Sequence, residues 1–317
     1  MPSNKKTVLT LEEFRERELG HLADVIGFGN TQQTSIYADT TGVKSPEVTF
    51  RGMVFSRTRL VTEDYLLNYR RSSADMGLMI GVNNFQTPIA VSTVAAGRVA
   101  TDDKDLIPLP KYDALRAPLG STIRSRRSVR HYSGKKMTME ELSTLLFYAQ
   151  GETGTMRVKT PESATLNDAN QLSLRAAPSG GGLFPIHLYF VAFNIADLEP
   201  AVYRYLPSRS GIVRVCSLPS GFTPGTLAEY GEMQVDKASL LFMYVYRLFE
   251  NARKYGDLGL AFALMEIGAT LQNIHLTCTS LGIGSCDIGG VKKRACEKLI
   301  GADGMTDHVL HLTLVGK

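Results

Sequence analysis

Residues 251–281 read NARKYGDLGLAFALMEIGATLQNIHLTCTSL. After the paired Lys254 and Tyr255, the stretch becomes the longest apolar run in the chain. It is interrupted by Glu266 and by the polar cluster Gln272, Asn273 and His275. Apolar residues fall on every face of a helical projection rather than in one stripe, which predicts a helix buried all round. The small residues Ala261, Ala263, Gly268 and Ala269 let neighbours approach closely. The run over 258–283 is long enough to span a bilayer. A carboxylate near its middle would cost about 2.5–3.5 kcal/mol there. The stretch is therefore expected to be the central core helix of a non-membrane protein, with a reactive pair at its mouth.

Working outward, the composition sets the frame. The chain has 317 residues, 44% hydrophobic and 21% charged, with a formal net charge of +4. That is globular material for one large or two ordinary domains. The mild, dispersed positive charge does not argue for nucleic acid. The cysteines, Cys216, Cys278, Cys286 and Cys296, form no Cys-x-x-Cys pair, so reduced thiols in a cytoplasmic protein are expected. No ligand cluster with metal spacing is present. The first residues, MPSNKKTVLTLEEF, hold no apolar signal core.

Along the chain, Thr10-Leu11-Glu12-Glu13 is a capping box that predicts a helix near Leu11. A short strand is expected at Glu47–Phe50, a helix over Val61–Tyr69 and an extended stretch at Thr87–Val94. Thr101–Gly120, with Pro108, Pro110 and Pro118, reads as an extended linker. The domain boundary is placed here, with an accessory or docking region over 1–115 and a second domain over 116–317. A second capping box, Thr138-Met139-Glu140-Glu141, predicts a helix running to Gln150 and stopping at Gly151. Thr153–Ser173 is polar and reads as a mobile loop. Strands are expected at Ile186–Phe193, Val202–Leu206, Leu240–Leu248 and Val309–Val315, with a short helix at Ala295–Ile300. Helices and strands thus alternate, and the fold expected is α+β, a sheet packed around the central helix.

Three pieces carry chemistry. Arg126-Arg127-Ser128-Val129-Arg130 places three cations and a hydroxyl within five residues. Guanidinium forks match phosphate oxygens, although a solvated basic turn has the same composition. Pro178-Ser179-Gly180-Gly181-Gly182 strips side chains from the backbone just before a strand. It is either a plain turn or a floor that a flat ligand can approach closely. Gly289-Gly290 has the same two readings. No Gly-x-Gly-x-x-Gly follows a strand, so a Rossmann dinucleotide site is not supported. No Gly-x-Ser-x-Gly elbow marks a hydrolase. Among the remaining polar residues, His131 and His187 read as structural, as do Glu266, Gln272 and Asn273, which are expected to be buried polar anchors.

Taken in order, these pieces resemble the flavin-dependent nitroreductase superfamily over about Arg116–Lys317. Within it they look most like the SagB-type branch, the azoline dehydrogenases of ribosomal peptide biosynthesis. The resemblance rests on Arg126–Arg130, Pro178–Pro185, Val202–Pro207, Lys254-Tyr255, Leu264–Gly268, Gln272-Asn273, Leu281-Gly282 and Ile288–Gly290. It implies a nitroreductase-like fold with a mixed sheet flanked by helices around the long central helix. It also implies a domain-crossed homodimer that binds FMN at its interface. Arg126, Arg127, Ser128 and Arg130 would then hold the phosphate and ribityl chain. Pro178, Ser179 and Gly180 would line the isoalloxazine from the partner subunit, and Gly289 and Gly290 would approach it by backbone. After those glycines the family often has an aromatic or acidic residue, where this chain has Val291 and Lys292.

The activity implied is oxidation of peptide thiazolines and oxazolines to thiazoles and oxazoles, inside a synthetase whose cyclodehydratase subunits form the rings. Lys254 and Tyr255 are the expected catalytic pair. A phenol, with its ordinary pKa near 10, is a poor base at neutral pH, and an adjacent ammonium favours the phenolate. Either residue fits the role of base. Two other readings remain at this stage. One is an NAD(P)H-dependent nitroreductase, or a stand-alone oxidase of small molecules or nonribosomal peptides. The other is a flavin-holding scaffold without turnover.

Overall fold

The computed structural model describes residues 105–157 and 171–317, together with Tyr65–Leu66 and Ile80–Val82. The chain divides into two compact units, Met1–Ser72 and Ser73–Lys317, and the sheet and its helices belong to the second. The helix expected over Val61–Tyr69 is described at Tyr65 and Leu66, which are helical. The Thr10 capping box, the Glu47–Phe50 strand and the Thr87–Val94 stretch lie outside the described residues.

The core is a seven-stranded sheet in the order β1-β6-β5-β4-β8-β11-β9. Its strands are β1 (Leu106–Pro108), β4 (Ile186–Ala192), β5 (Ala201–Leu206), β6 (Gly211–Ser217), β8 (Leu240–Arg247), β9 (Gly284–Ile288) and β11 (Asp307–Gly316). Two short ribbons stand apart: β2 (Glu152–Arg157) with β3 (Gln171–Arg175), and β7 (Ala228–Glu229) with β10 (Gly290–Val291). The helices are α1 (Leu119–Ser125), α2 (Met139–Gln150), α3 (Leu248–Tyr255), α4 (Leu258–Leu281) and α5 (Lys293–Ile300).

The α+β architecture is as expected, with one difference inside the sheet. All of its pairings are antiparallel, where a mixed sheet was expected. The helical crossover through α3 and α4 does connect two strands of the same direction, β8 and β9. The last strand, β11, runs antiparallel between them and keeps them from pairing. Central β8, LLFMYVYR, is buried on both faces from Leu240 to Tyr246. Its unbroken apolar run follows from having packed layers on each side. Phe190, Tyr203, Phe242 and Tyr244 face α2 and α4. Val191, Val202, Met243 and Leu314 face Leu227, Tyr230 and Cys296 on the opposite side.

Helix α2 begins and ends where the sequence places it. Thr138 Oγ1 accepts from Glu141 N–H at 3.2 Å, and Glu141 Oε2 accepts from Thr138 N–H at 2.8 Å, a complete capping box. Leu142, Leu145, Leu146 and Ala149 are fully buried at helical spacing. At the C-terminal end, a Cβ on Gly151 would overlap the Phe147 ring and carbonyl, so only glycine closes this turn.

Two stretches differ from expectation. Within the expected linker, Leu106–Pro108 is an edge strand on β6, and its proline sits at the strand end, where a ladder tolerates it. The expected loop after Gly151 contains β2 and β3, paired as a two-stranded ribbon. The five-residue β3, QLSLR, alternates too briefly, and β2, ETGTMR, is too polar, to announce strands within a polar stretch. Helix α4 is also not buried all round. Ala263, Glu266, Ile267, Thr270, Ile274 and Cys278 are buried, but Leu264 is 51% and Met265 65% exposed. With Gly268 and Gln272 they form an exposed stripe at i, i+1, i+4 and i+8. Among the described residues no helix is long and apolar enough to cross a membrane.

Candidate active site

Ser179–Ile186 is a tight loop leading into β4. Gly181 and Gly182 both have φ of 64°, and Phe184, which bears a side chain, has φ of 50°. The left-handed region costs a residue with a Cβ roughly 1–2 kcal/mol, so the surroundings must hold Phe184 there. They do so with three contacts. Ser179 Oγ accepts from Phe184 N–H at 2.9 Å, Ser179 O accepts from Gly182 N–H at 3.0 Å, and the Arg175 guanidinium lies 4.3 Å from the Phe184 ring centroid.

Lys254 and Tyr255 sit over this loop. They are the last two residues of α3, a helix of its own closed by Gly256 with φ of 54°. The pair at the mouth of the long helix thus belongs to a separate short helix that precedes it. Eight residues with a polar half, LFENARKY, show too little periodicity to announce a separate helix. Helical Gly81 packs behind the pair, where a Cβ would come within 2.8 Å of the Lys254 carbonyl oxygen. On the front side, a Cβ on Gly181 would overlap Tyr255 Oη and lie 2.8 Å from Lys254 Nζ. Both functional atoms therefore cover the glycine backbone directly. Lys254 Nζ is 5.1 Å from the Tyr255 ring centroid. Phe262, on the first turns of α4, meets the Tyr255 ring edge-on at 4.9 Å, and a Cβ on Gly180 would lie 3.0 Å from its ring.

Gly181→Ala is accordingly expected to be among the most damaging single-methyl changes in the chain. The new Cβ is strained at φ of 64° and displaces Tyr255. Turnover should fall at least ~100-fold, a loss typical of misplaced reacting groups, while far-UV circular dichroism stays unchanged. Wild-type turnover in this variant would show that the contact has no functional weight.

Beneath the loop lies Glu266 of α4, 2% exposed. Its Oε1 accepts from Ile186 N–H at 3.3 Å. Its Oε2 is buried with no donor in full hydrogen-bonding geometry among the described residues, and the Ser179 hydroxyl contributes a loose contact. Burial pushes the carboxyl up to about 7, against the pull of Ser179, Ile186 N–H and Arg175. The sequence marks Glu266 as a buried anchor. Its link to Ser179 and Ile186 is visible only in three dimensions.

The basic run lies elsewhere. Arg126 caps α1 and is half-buried, and Arg127, Ser128 and Arg130 are exposed. Arg127 Nη1 donates to the carbonyls of Arg124 and Arg126. Val129 N–H donates to Ser285 O at 2.9 Å, which lays the run along the start of β9. Gly289, at the far end of β9, is exposed, and a Cβ there would meet no atom within 4 Å. Gly290 pairs with Glu229.

Ser285 Oγ is 2.7 Å from His275 Nδ1, and His275 Nε2 is 2.8 Å from Asp287 Oδ2. This is the residue order of a hydrolytic triad, but Ser285 is 2% and His275 3% exposed, so no substrate reaches the hydroxyl. Burial works to raise the Asp287 pKa. Hydrogen bonds from His275, His311 and Thr313 outweigh it and hold the carboxyl well below the usual range. The network knits α4 to β9 and β11. His187, for its part, is held by Glu250 at 2.9 Å.

One chain therefore brings the glycine loop to Lys254 and Tyr255 but leaves the basic run apart from them. The loop and the pair sit at the level of Phe262 on α4. The basic run sits at the level of His275, which touches Ser285. Thirteen helical residues separate these levels by roughly 20 Å.

Among the described residues no group of three or more His, Cys, Asp or Glu is placed to hold a metal ion, and all four cysteines are free thiols. The donors suit a flat, phosphorylated cofactor. Gly182 and Gly289 meet no atom where a Cβ would stand, a property they share with several other described glycines, and an exposed guanidinium run has the donors that a phosphate accepts from. The nitroreductase family model matches residues 123–317, and the chain belongs to that family, whose cofactor is FMN. A candidate nitroreductase of Methanocaldococcus jannaschii is 31% identical over 183 residues, covering 58% of this chain and 83% of the relative. The crystal structure of a candidate nitroreductase from Ralstonia eutropha JMP134 superposes with a TM-score of 0.51 at 20% identity, covering 69% of this chain and 91% of that one. A chain of the E. coli microcin synthetase McbBCD complex, solved with truncated pro-MccB17 bound, has a TM-score of 0.49 at 19% identity, covering 78% of this chain and 99% of its own. At 20% identity the likeness to the Ralstonia eutropha structure is one of fold.

Proposed function

We propose that the protein is an FMN-dependent azoline dehydrogenase that converts thiazolines or oxazolines of a ribosomally made peptide into thiazoles or oxazoles. The observation that carries this reading is the placement of Lys254 Nζ and Tyr255 Oη directly over Gly181. Contact with the glycine backbone holds both candidate proton acceptors in fixed places, as removal of a proton from a ring carbon requires.

The reaction removes two hydrogens from the ring. Bound FMN supplies the two-electron acceptor for the one that leaves as hydride. The other leaves as a proton, and Tyr255 or Lys254 takes it. Phe262 fixes the Tyr255 ring edge-on and keeps water from that side. Arg126, Arg127, Ser128 and Arg130 are assigned to the FMN phosphate. Pro178, Ser179 and Gly180 are assigned to the isoalloxazine, and Gly289 and Gly290 to backbone contacts with it.

The roughly 20 Å between the two halves of the site supports a homodimer. A two-fold packing of α4 on its copy, through Leu264, Met265, Gly268 and Gln272, runs the helices antiparallel. It sets the Phe262 end of one chain beside the His275 end of the other. The partners proposed are therefore a second copy, the azoline-bearing precursor peptide and cyclodehydratase subunits. Residues 1–115 are assigned as the docking region and 116–317 as the FMN domain. The cytoplasm is the proposed location, where free thiols persist.

The test is direct. Purified yellow protein given an azoline peptide in air is expected to lower its mass by about 2 Da per ring. No mass change, with rapid NAD(P)H-driven turnover of nitroaromatics, would favour a small-molecule reductase instead. Colourless, folded protein would favour a scaffold.

A further inference from the structure

We infer that Glu266 is a positioning residue: its carboxylate, acting through Ile186 and Ser179, holds the Ser179–Ile186 loop so that Gly181 stays beneath Lys254 and Tyr255. The inference rests on the reading of Lys254 and Tyr255 as the reacting pair, but the tie itself stands on geometry. The loop carries three left-handed residues in four positions, Gly181, Gly182 and Phe184. Such a segment persists only if both of its ends are fixed. Glu266 reaches both ends. It accepts from Ile186 N–H, where β4 begins, and lies against Ser179, whose Oγ closes the turn onto Phe184 N–H. Gln150 of α2 donates to the Ile186 carbonyl at 3.2 Å and to Thr270 Oγ1 at 3.3 Å, so the two peptide groups flanking the Ile186 Cα are gripped from two helices. Phe262 is one helical turn from Glu266 on α4, and it supports both Gly180 and Tyr255. A shift at Glu266 therefore reaches the reacting pair by two short routes.

A carboxylate is a strong acceptor and a carboxylic acid a weak one that also competes as a donor. The tie tightens on ionisation. The charged groups facing Glu266 are Arg175 of β3, which favours ionisation, and Glu250 of α3, which opposes it. Gln150 of α2 and Ser179 of the loop are neutral. With the folded carboxyl raised to about 7 and the unfolded one near the ordinary 4.3, the folded state holds the extra proton between those values. Global stability therefore falls as pH rises through that window and levels off above it. The loop gains its anchor as the folded carboxyl ionises, around pH 7 at the upper end of that window. Burying an ionised group at a cost to the whole fold is a reason to look for a local role.

The experiment is hydrogen exchange of the 179–186 segment in FMN-loaded wild-type and Glu266→Gln protein from pH 5.5 to 8.5, corrected for intrinsic rates. In the wild type, protection is expected to rise through pH 7. In the variant it should be ~10-fold lower at pH 8 and free of the step. The fall in the wild-type thermal midpoint between pH 5 and 7 should also be smaller in the variant. On azoline peptide, kcat should fall ~10-fold with KM little changed. Unaltered exchange with the step intact would overturn the inference. If Glu266→Gln does not fold, Ser179→Ala should raise exchange of the same segment, and its failure to do so overturns the inference equally. Altered exchange with no azole formed by the wild type would support the tie and reject the azoline reading.

Discussion

Tyr255→Phe and Lys254→Ala are expected to give folded, yellow protein that has lost azole formation by about 100- to 10,000-fold, the range a positioned acid or base contributes. Neither change threatens the fold. Tyr255→Phe removes one oxygen and keeps the ring that Phe262 meets edge-on. Lys254 is half-buried at the end of a short helix whose closure depends on Gly256 and Ala252. The flavin assignments lie on other residues, so the spectrum should not change. If the two act as one unit, the double variant should be hardly worse than either single one. Lys254→Arg separates charge from proton transfer. Substantial retained activity would make the ammonium a field for Tyr255, whereas loss as deep as in the alanine variant would make Lys254 itself the base. Full activity in both Tyr255→Phe and Lys254→Ala would sink the assignment of either as base.

Much of the fold is legible in the sequence because its signals are local. The Thr138 box and Gly151 delimit α2 within a residue. The run from Leu258 to Leu281 is a single helix, and the apolar stretches become β4, β5, β8 and β11. What escapes notice is what pairs at long range or lies partly in solvent. Strand β6 carries Arg214 amid apolar neighbours and is held by β5 and β1 rather than by its own pattern. The β2–β3 ribbon is mostly polar, and its apolar residues Met156 and Leu174 are exposed. In α4, an apolar run on all faces indicates only that each face avoids water. It does not distinguish a buried core from an apolar surface, and Leu264 and Met265 are exposed. The site divides in the same way. Its motifs are visible one by one, but the overlap of Gly181 with Tyr255 and the reach of Glu266 to Ile186 arise from folding distant segments onto α4.

Co-expressing Arg126→Ala and Tyr255→Phe chains is expected to restore activity that neither variant has alone. The reason lies along α4. In one chain the basic run adjoins Ser285 and His275, while Lys254 and Tyr255 adjoin Phe262, about 20 Å away along the helix. In the proposed homodimer a complete site would draw its guanidinium run from one chain and its reacting pair from the other, with the exposed stripe at Leu264 and Met265 as the seam. A heterodimer of the two variants then holds one site with both lesions and one with neither. Random pairing makes half the dimers heterodimers, each with one intact site of two, so activity should return to about a quarter of wild type. FMN content should report the same division. The Arg126→Ala homodimer should lose its flavin on gel filtration, the Tyr255→Phe homodimer should keep it, and the mixture should hold about half. Were each site built within one chain, every site in the mixture would carry one lesion or the other. Activity would then stay at the level of the parents. That outcome would reject the domain-crossed dimer while leaving the roles of Lys254 and Tyr255 untouched, because those roles rest on contacts made inside a single chain.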